Sequence, residues 1–210
     1  TTITAWELLF DRLQVAEGSA SKGQSLLIVG AAGGVGSILT QLARQLTGMT
    51  VIGTASRQET QEWVRNLGAH HVIDHRKPLS EELKRIGIGE VTHVASLNQT
   101  EQHLPEIVAS LRPQGRLALI DDPENLDVRL LKQKSLSLHW EFMYTRSMFQ
   151  TDDMIEQHKL LQRVAGLIDS GVLKTTLGEH FGKIDAANLR RAHALLESNT
   201  AKGKIVLEGF

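Results

Sequence analysis

The chain has 210 residues and is nearly balanced in charge, with 23 Lys and Arg against 24 Asp and Glu and a formal net charge of −1 at pH 7. That length can bury the core of one large domain or one and a half. No basic stripe supports nucleic-acid binding, and no long apolar run or leader-like stretch points to a membrane span or export. Cysteine is absent, which excludes disulfides, cysteine-ligated zinc and a cysteine nucleophile within this chain and fits a reducing cytoplasm.

The chain enters at Thr1 directly into an apparent helix carrying Trp6, Leu8, Leu9 and Leu13, which reads as an internal start. Leu26 to Val29 is a buried strand. It runs into a glycine-rich turn, and a helix from Ser37 to Leu46 follows, with Val35, Ile38, Leu39, Leu42, Ala43 and Leu46 on one apolar face. A second strand spans Met49 to Ala55, then a helix from Gln58 to Leu67 ends on Gly68. His71 to Asp74 is a third strand, Pro78 to Ile86 a helix with Ser80 as expected N-cap, and Val91 to Leu97 a fourth strand. Glu101 to Leu111 is helical, stopped by Pro113 and Gly115; Arg116 to Ile120 is the fifth strand. A short helix (Leu126 to Lys132) and a sixth strand (Ser135 to Phe142) complete the alternation. Strands alternating with helices predict an α/β fold, a doubly wound parallel six-stranded sheet.

Beyond residue 150 the pattern changes. Asp152 to Ser170 reads as a longer helix with Ile155, His158, Leu161, Val164, Leu167 and Ile168 near one face. A strand (Thr176 to Phe181), a helix (Asp185 to Glu197) and a last strand (Lys204 to Glu208) follow. Two units are expected, 1–150 for nucleotide binding and 151–210 as a tail whose strands need not join the main sheet.

The turn Gly30-Ala31-Ala32-Gly33-Gly34-Val35-Gly36 is the most informative stretch. A glycine turn between strand and helix lets backbone approach a pyrophosphate, and the helix start supplies free N–H groups and a positive dipole end. The strict spacing G-x-G-x-x-G is broken, since Ala31 stands at its first glycine, but strand, turn, helix and strand follow in the required order. The alternative is a tight turn without ligand. At the end of the second strand, where an acidic residue selects NAD, the sequence reads Ala55-Ser56-Arg57-Gln58. Ser56 can hydrogen-bond and Arg57 can clamp a 2′-phosphate in bidentate fashion, which favours NADP(H); otherwise Arg57 is a solvated helix-start residue.

These residues, with Thr4 to Leu9, Gly53 to Ser56, Leu67-Gly68-Ala69, Val72-Ile73-Asp74 and Gly203 to Leu207, resemble the cofactor-binding (Rossmann) portion of the medium-chain dehydrogenase/reductase superfamily. The nearer likeness is to its quinone oxidoreductase and zinc-type alcohol dehydrogenase-like branch. The resemblance covers nearly the whole chain, lacks the N-terminal GroES-like catalytic domain, and implies that the tail returns toward that domain. It implies that Thr4 approaches the nicotinamide and that Gly33, Gly34 and Val35 line the pyrophosphate. Leu97 and Asn98 would border a ribose; Ile120 and Phe142-Met143 would border the nicotinamide through backbone groups; Lys204 is a further candidate. Relatives hold the 2′-phosphate with a lysine and a tyrosine whose positions here carry Thr60 and His75. His75 can still donate, and Arg57 can replace the lost charge. Zinc is not expected in this chain, and the family leaves it open for a longer protein. A homodimer through the sixth strand as sheet edge is also expected.

Other clusters invite chemistry less directly. His70, His71 and His75 surround Asp74, but neighbouring strand residues point to opposite faces, against a metal site. Glu141 and His139 have the types of a general base, yet read as strand residues. Asp121-Asp122 beside Pro123 reads as a turn, Tyr144 lacks a lysine four residues on, and Leu189, His193 and Leu196 read as helix-face packing. The expected function is therefore the cofactor-binding domain of an NADPH-dependent oxidoreductase. It would pass hydride between nicotinamide and a small-molecule quinone, carbonyl, or activated alkene or alcohol, with no catalytic residue assignable here. The alternatives are a non-catalytic nucleotide-binding or dimerisation module, and a nucleotide-dependent methyltransferase, which usually ends its second strand on an acid.

Overall fold

The computed structural model describes residues 1–209. Six strands, β1 (Ser25–Val29), β2 (Thr50–Thr54), β3 (His71–Ile73), β4 (Val91–Ser96), β5 (Leu111–Leu119) and β6 (Ser137–Trp140), form one sheet. Their order is β3-β2-β1-β4-β5-β6 and every pair is parallel. The order reverses between β1 and β4, so the crevice that accepts ligands in such sheets lies beyond the carboxyl end of β1. In the register, Ile28 stands between Gly53 of β2 and Ala95 of β4. These small neighbours leave room at the top of the sheet.

The helices are α1 (Thr2–Trp6), α2 (Gly34–Leu46), α3 (Gln58–Asn66), α4 (Leu79–Arg85), α5 (Thr100–Ser110), α6 (Thr145–Phe149), α7 (Ile155–Asp169) and α8 (Ala186–Glu197). Side chains alternate across β1: Leu26 and Ile28 pack with Leu8, Leu39 and Leu42 on one face, while Leu27 and Val29 pack with Leu83, Leu104 and Ile107 on the other. Both faces are therefore covered, as an all-parallel sheet requires. Each fully buried leucine or isoleucine contributes about 2 kcal/mol by leaving water. Two further strands, β7 (Leu177–Lys183) and β8 (Lys204–Glu208), form a separate parallel pair, so the tail strands do not join the main sheet. Val164 of α7 and Leu173 beyond it belong to the same core as α1 and α2.

Several local expectations change. The opening helix becomes a π-helical turn over Glu7–Arg12, with Leu13 N–H donating to the Leu8 carbonyl. Ser80 is not the N-cap of α4; Pro78 holds that position, and the Ser80 N–H and hydroxyl both donate to Glu106, binding α4 to α5. α5 stops at Ser110 because Leu111 already pairs with Val91, and β5 reaches Gly115 through a register shift rather than starting at Arg116. The 126–132 helix contracts to a 3-10 turn at Val128–Leu131. α2 starts earlier, at Gly34. On α7 the covered residues are Leu160 and Val164; Ile155, Leu161 and Ile168 of the expected apolar face are exposed. Likewise Leu189, His193 and Leu196 of α8 are exposed, and Ala192 alone is buried there.

The tightest approach in the core is at Gly36, where a Cβ would lie 2.4 Å from the Gly30 carbonyl oxygen and 2.6 Å from Ala31 Cα. Nothing flexible can move aside. Gly36→Ala is expected to cost roughly 2–4 kcal/mol in urea unfolding. Gly166→Ala, on an exposed part of α7 with nothing within 4 Å, is expected to be neutral or to stabilise by up to about 1 kcal/mol in the same assay.

Candidate functional site

The site is built on the turn after β1. Gly30 has φ +84°, a conformation that suits glycine. Its N–H donates to Thr54 Oγ1 at 3.0 Å, fastening the turn to β2. A Cβ on Gly30 would lie 2.6 Å from Asn98 Oδ1, so the Asn98 amide lies against the turn. Gly33 is the N-cap of α2, and no side chain caps that helix. Its first-turn N–H groups are free for a ligand, at the positive end of the helix dipole. A Cβ on Gly34 would lie 2.6 Å from Lys204 Cδ, so the lysine stem crosses the start of α2.

A cleft of ≈ 370 Å³ opens above this turn. Of the expected residues, Gly30, Gly33, Gly34, Ser56, Arg57, His75, Asn98 and Lys204 line it. Ala31 is fully buried beneath the turn, and Gly36 packs under it. Both shape the loop rather than face the cleft. Val35, Leu97 and Ile120 pack half-buried against the core, Thr4 is buried in α1, and Phe142 is exposed beyond β6. Because all six strands are parallel, Ile120 and Phe142 stand beyond carboxyl strand ends on the same edge of the sheet as Gly30. Sequence reading missed Thr54, Gln99 and, from the tail, Leu196, Asn199 and Ala201; Thr60, which the resemblance gave as the position of a lost lysine, also lines the cleft. The tail residues carry no motif; only the Gly-Lys step at Gly203-Lys204 signalled that part of the wall.

The tail is strapped across the outer rim. Arg57 Nη2 donates to the Thr200 carbonyl at 2.6 Å, Gly203 N–H donates to the Ala32 carbonyl at 2.8 Å, and Lys202 pairs with Glu59 while its ammonium lies 5.9 Å from the Trp63 ring centroid. Glu59, the first carboxylate after β2, is thus occupied by Lys202. A second guanidinium stands at the rim: Arg76 grips both Asp74 oxygens and donates to the Ser56 carbonyl at 3.1 Å. His75 lines the cleft; its enclosed Nδ1 has no partner among the described residues, and its ring meets His103 edge-on at 6.2 Å between centroids. Burial holds the His75 imidazole below its usual pKa, partly offset by Asp74.

The remaining candidates resolve into structural roles. His70 Nδ1 accepts from the Val51 N–H at 2.9 Å. Asp121 accepts from the Thr100 N–H at 2.8 Å and from its hydroxyl, so it caps α5 rather than closing a local turn. Tyr144 is exposed, and His139 lies beside Ser137 Oγ. Glu141 is buried, bonded to Arg12, and pushed up to about 8 by burial and by the neighbouring Glu7 carboxyl. Among the described residues, no group of three or more His, Cys, Asp or Glu side chains is arranged to hold a metal ion. These side chains do not fit a zinc centre by themselves.

The profile of the family described as zinc-binding dehydrogenase matches residues 67–207. A zinc-type alcohol dehydrogenase-like protein of Staphylococcus aureus (strain MSSA476) is 37% identical over 209 residues, covering 99% of this chain and 62% of the relative. A crystal structure from Rhizobium etli CFN 42, named provisionally as a zinc-dependent alcohol dehydrogenase, is 55% identical with a TM-score of 0.93, covering 99% of this chain and 61% of the other. The mycobacterial protein Rv1454c, solved in complex with NADPH, is 26% identical with a TM-score of 0.81, covering 99% of this chain and 62% of the other. The chain thus spans about three fifths of the length of these relatives.

The His75 environment has a consequence for acid stability. A histidine held below its usual pKa favours the neutral ring, so its contribution is present above about pH 6.5 and is lost as pH falls below that value. His75→Asn is expected to show a smaller drop in Tm than wild type between pH 7.5 and 5, measured by thermal unfolding.

Proposed function

The chain belongs to the zinc-binding dehydrogenase family, and from that premise we propose that it is the NADP(H)-binding part of an oxidoreductase acting on a small quinone, carbonyl, or activated alkene or alcohol. The observation that carries this reading is the uncapped first turn of α2. Its free N–H groups open into the same cleft as Ser56, Arg57 and His75. In this reading the free amides of Gly34 and Val35 hold the pyrophosphate, and Lys204 adds positive charge beside them. Arg57, Ser56 and His75 hold the 2′-phosphate. The Arg57 guanidinium makes one hydrogen bond, to Thr200, among the described residues, and its other N–H groups remain for a phosphate. Glu59 is spent on Lys202, so no free carboxylate stands at the end of β2 to prefer a 2′-hydroxyl.

Hydride donation or acceptance is the chemistry the nicotinamide supplies when bound. This chain's part is to bind and orient. Thr4, Ile120 and the Phe142–Met143 backbone would border the ring and fix which face is presented. Among the described residues we assign none to moving a substrate proton. Edge strand β6, with Trp140, Phe142 and Tyr144 exposed along and beyond it, is the surface that would pair with a second copy.

Arg57→Glu separates the two dinucleotides. NADPH affinity is expected to fall at least about tenfold, with NADH changing less than about twofold, in fluorescence titrations at fixed ionic strength. Equal losses would remove Arg57 from the phosphate site. For the edge, Trp140→Lys is expected to lower the sedimentation coefficient from that of a dimer to that of a monomer.

A further inference from the structure

Away from the cleft, the carboxyl end of β6 carries a buried ionic network. Glu141 extends the ladder, its N–H donating to the Leu119 carbonyl at 3.0 Å, and its carboxyl is fully enclosed. Oε2 accepts from Arg12 Nε at 2.9 Å; Oε1 is buried and has no donor among the described residues. The neighbouring group is the Glu7 carboxyl, 1% exposed, from the π-helical turn. Glu7 Oε1 already accepts from Arg146 Nη1 at 2.6 Å and from Gln157 Nε2 at 2.9 Å. Gln157 Nε2 also donates to the Met143 carbonyl at 2.7 Å. The network therefore reaches the backbone just beyond β6. Glu141 Oε1 lacks a donor and the neighbouring Glu7 carboxyl already serves as an acceptor, so a hydrogen bond between the two requires a proton on Glu141.

We propose that Glu141 and Glu7 share one proton, and that this carboxyl–carboxylate hydrogen bond positions the Phe142–Met143 segment and the start of the chain around the nicotinamide. The proposal rests on the dinucleotide-binding reading. Glu141 donates; Glu7 accepts, and passes the constraint through Gln157 to the Met143 carbonyl. The π-helical geometry has a use here, since its wider turn carries Glu7, Asp11 and Arg12 into the same network directly after Thr4 in α1. Glu141 is thus a positioning residue.

The surrounding charges support the assignment. Facing the pair are Asp11 and Arg12 from the π-helical turn, Arg146 from α6, Asp153 before α7 and His139 from β6. Arg146 binds Glu7, Asp11 and Asp153 together, and those hydrogen bonds hold it above its usual range despite burial. Arg12 and Arg146 supply two positive charges against four carboxyl groups, so one proton on Glu141 lessens the excess. Burial and Glu7 push Glu141 up to about 8. His139, held low by burial and the nearby arginines, stays neutral at and above neutral pH and adds no charge.

The test compares NADPH with adenosine 2′,5′-bisphosphate, which lacks the nicotinamide half, by titrating this chain at pH 7 and pH 9.5. For wild type, NADPH affinity is expected to fall roughly tenfold at the higher pH while the bisphosphate changes less than about twofold. Glu141→Gln, which keeps a donor toward Glu7 and an acceptor for Arg12, is expected to flatten the NADPH profile. Glu141→Leu is expected to bind NADPH weakly at both pH values and still bind the bisphosphate. A Gln variant with the wild-type profile, or parallel losses for both ligands, would overturn the proposal. If neither ligand binds at any pH, the dinucleotide reading fails, and melting curves decide the shared proton. Wild-type stability is then expected to decline between about pH 4.5 and 8 relative to Glu141→Gln; identical curves would overturn it.

Discussion

The contact on which the rest of the site depends is that of α2 with the end of β1. Gly36 sits so close to the Gly30 carbonyl and to Ala31 that no side chain fits between them. That approach lets the helix start directly above the strand end, with its first N–H groups aimed outward. Thr54 holds Gly30 from β2, and Asn98 lies against it from beyond β4. Three strand ends are thus fastened at one point. The alanine that breaks the strict glycine spacing does no harm there, because Ala31 faces down into the core rather than toward the cleft. Its methyl occupies space that Gly53 of β2 leaves open, where a Cβ would come 2.9 Å from it.

The tail gives the cleft its second wall. Without the segment after α8, the turn would face open solvent. With it, Lys204 crosses Gly34, Gly203 bonds Ala32, and Lys202 lies beside Trp63, whose indole N–H donates to Ser37 of α2 at 2.8 Å. The parallel pair β7–β8 is too small to be stable alone, and these contacts dock it on the larger unit. A region that sequence order sets far from the turn therefore contributes to the same concavity.

Much of this architecture was legible because its signals are local. Strands β1, β2, β4 and β5 announce themselves by short, largely apolar runs, β3 and β6 by their place in the alternation, and the glycine turn by residues that tolerate close backbone approach. Helix faces were harder to read. The stripe Ile155, Leu161 and Ile168 on α7 is as apolar as Leu160 and Val164, and periodicity cannot say which stripe the chain itself covers. Ser80 has the chemistry of an N-cap, yet its hydroxyl is taken by Glu106 across the α4–α5 contact. Asp121 caps a helix 21 residues earlier in sequence. Long-range polar pairings of this kind leave no periodic trace. The same holds for the candidate site: the glycines, Ser56 and Arg57 could be placed from their own segment and His75 from the family resemblance, whereas Asn199 and Ala201 came only with the fold.

The two ends of the sheet edge are held by different electrostatics. At the outer rim the contacts are exposed: Arg57 on Thr200, Lys202 on Glu59, and Arg76 on Asp74. Such pairs are worth about 0–1 kcal/mol each and weaken as salt rises. At the inner end Glu7, Glu141 and Arg146 are buried, where screening is slight and breaking one partner strands another. An apolar substitute of equal volume could stabilise the fold as well as this ionic cluster does. What hydrophobic packing cannot supply is direction, and Gln157 needs a fixed acceptor at Glu7 to hold the Met143 carbonyl in place. The cleft therefore has a compliant rim, while the carboxyl end of β6, away from it, is held rigidly.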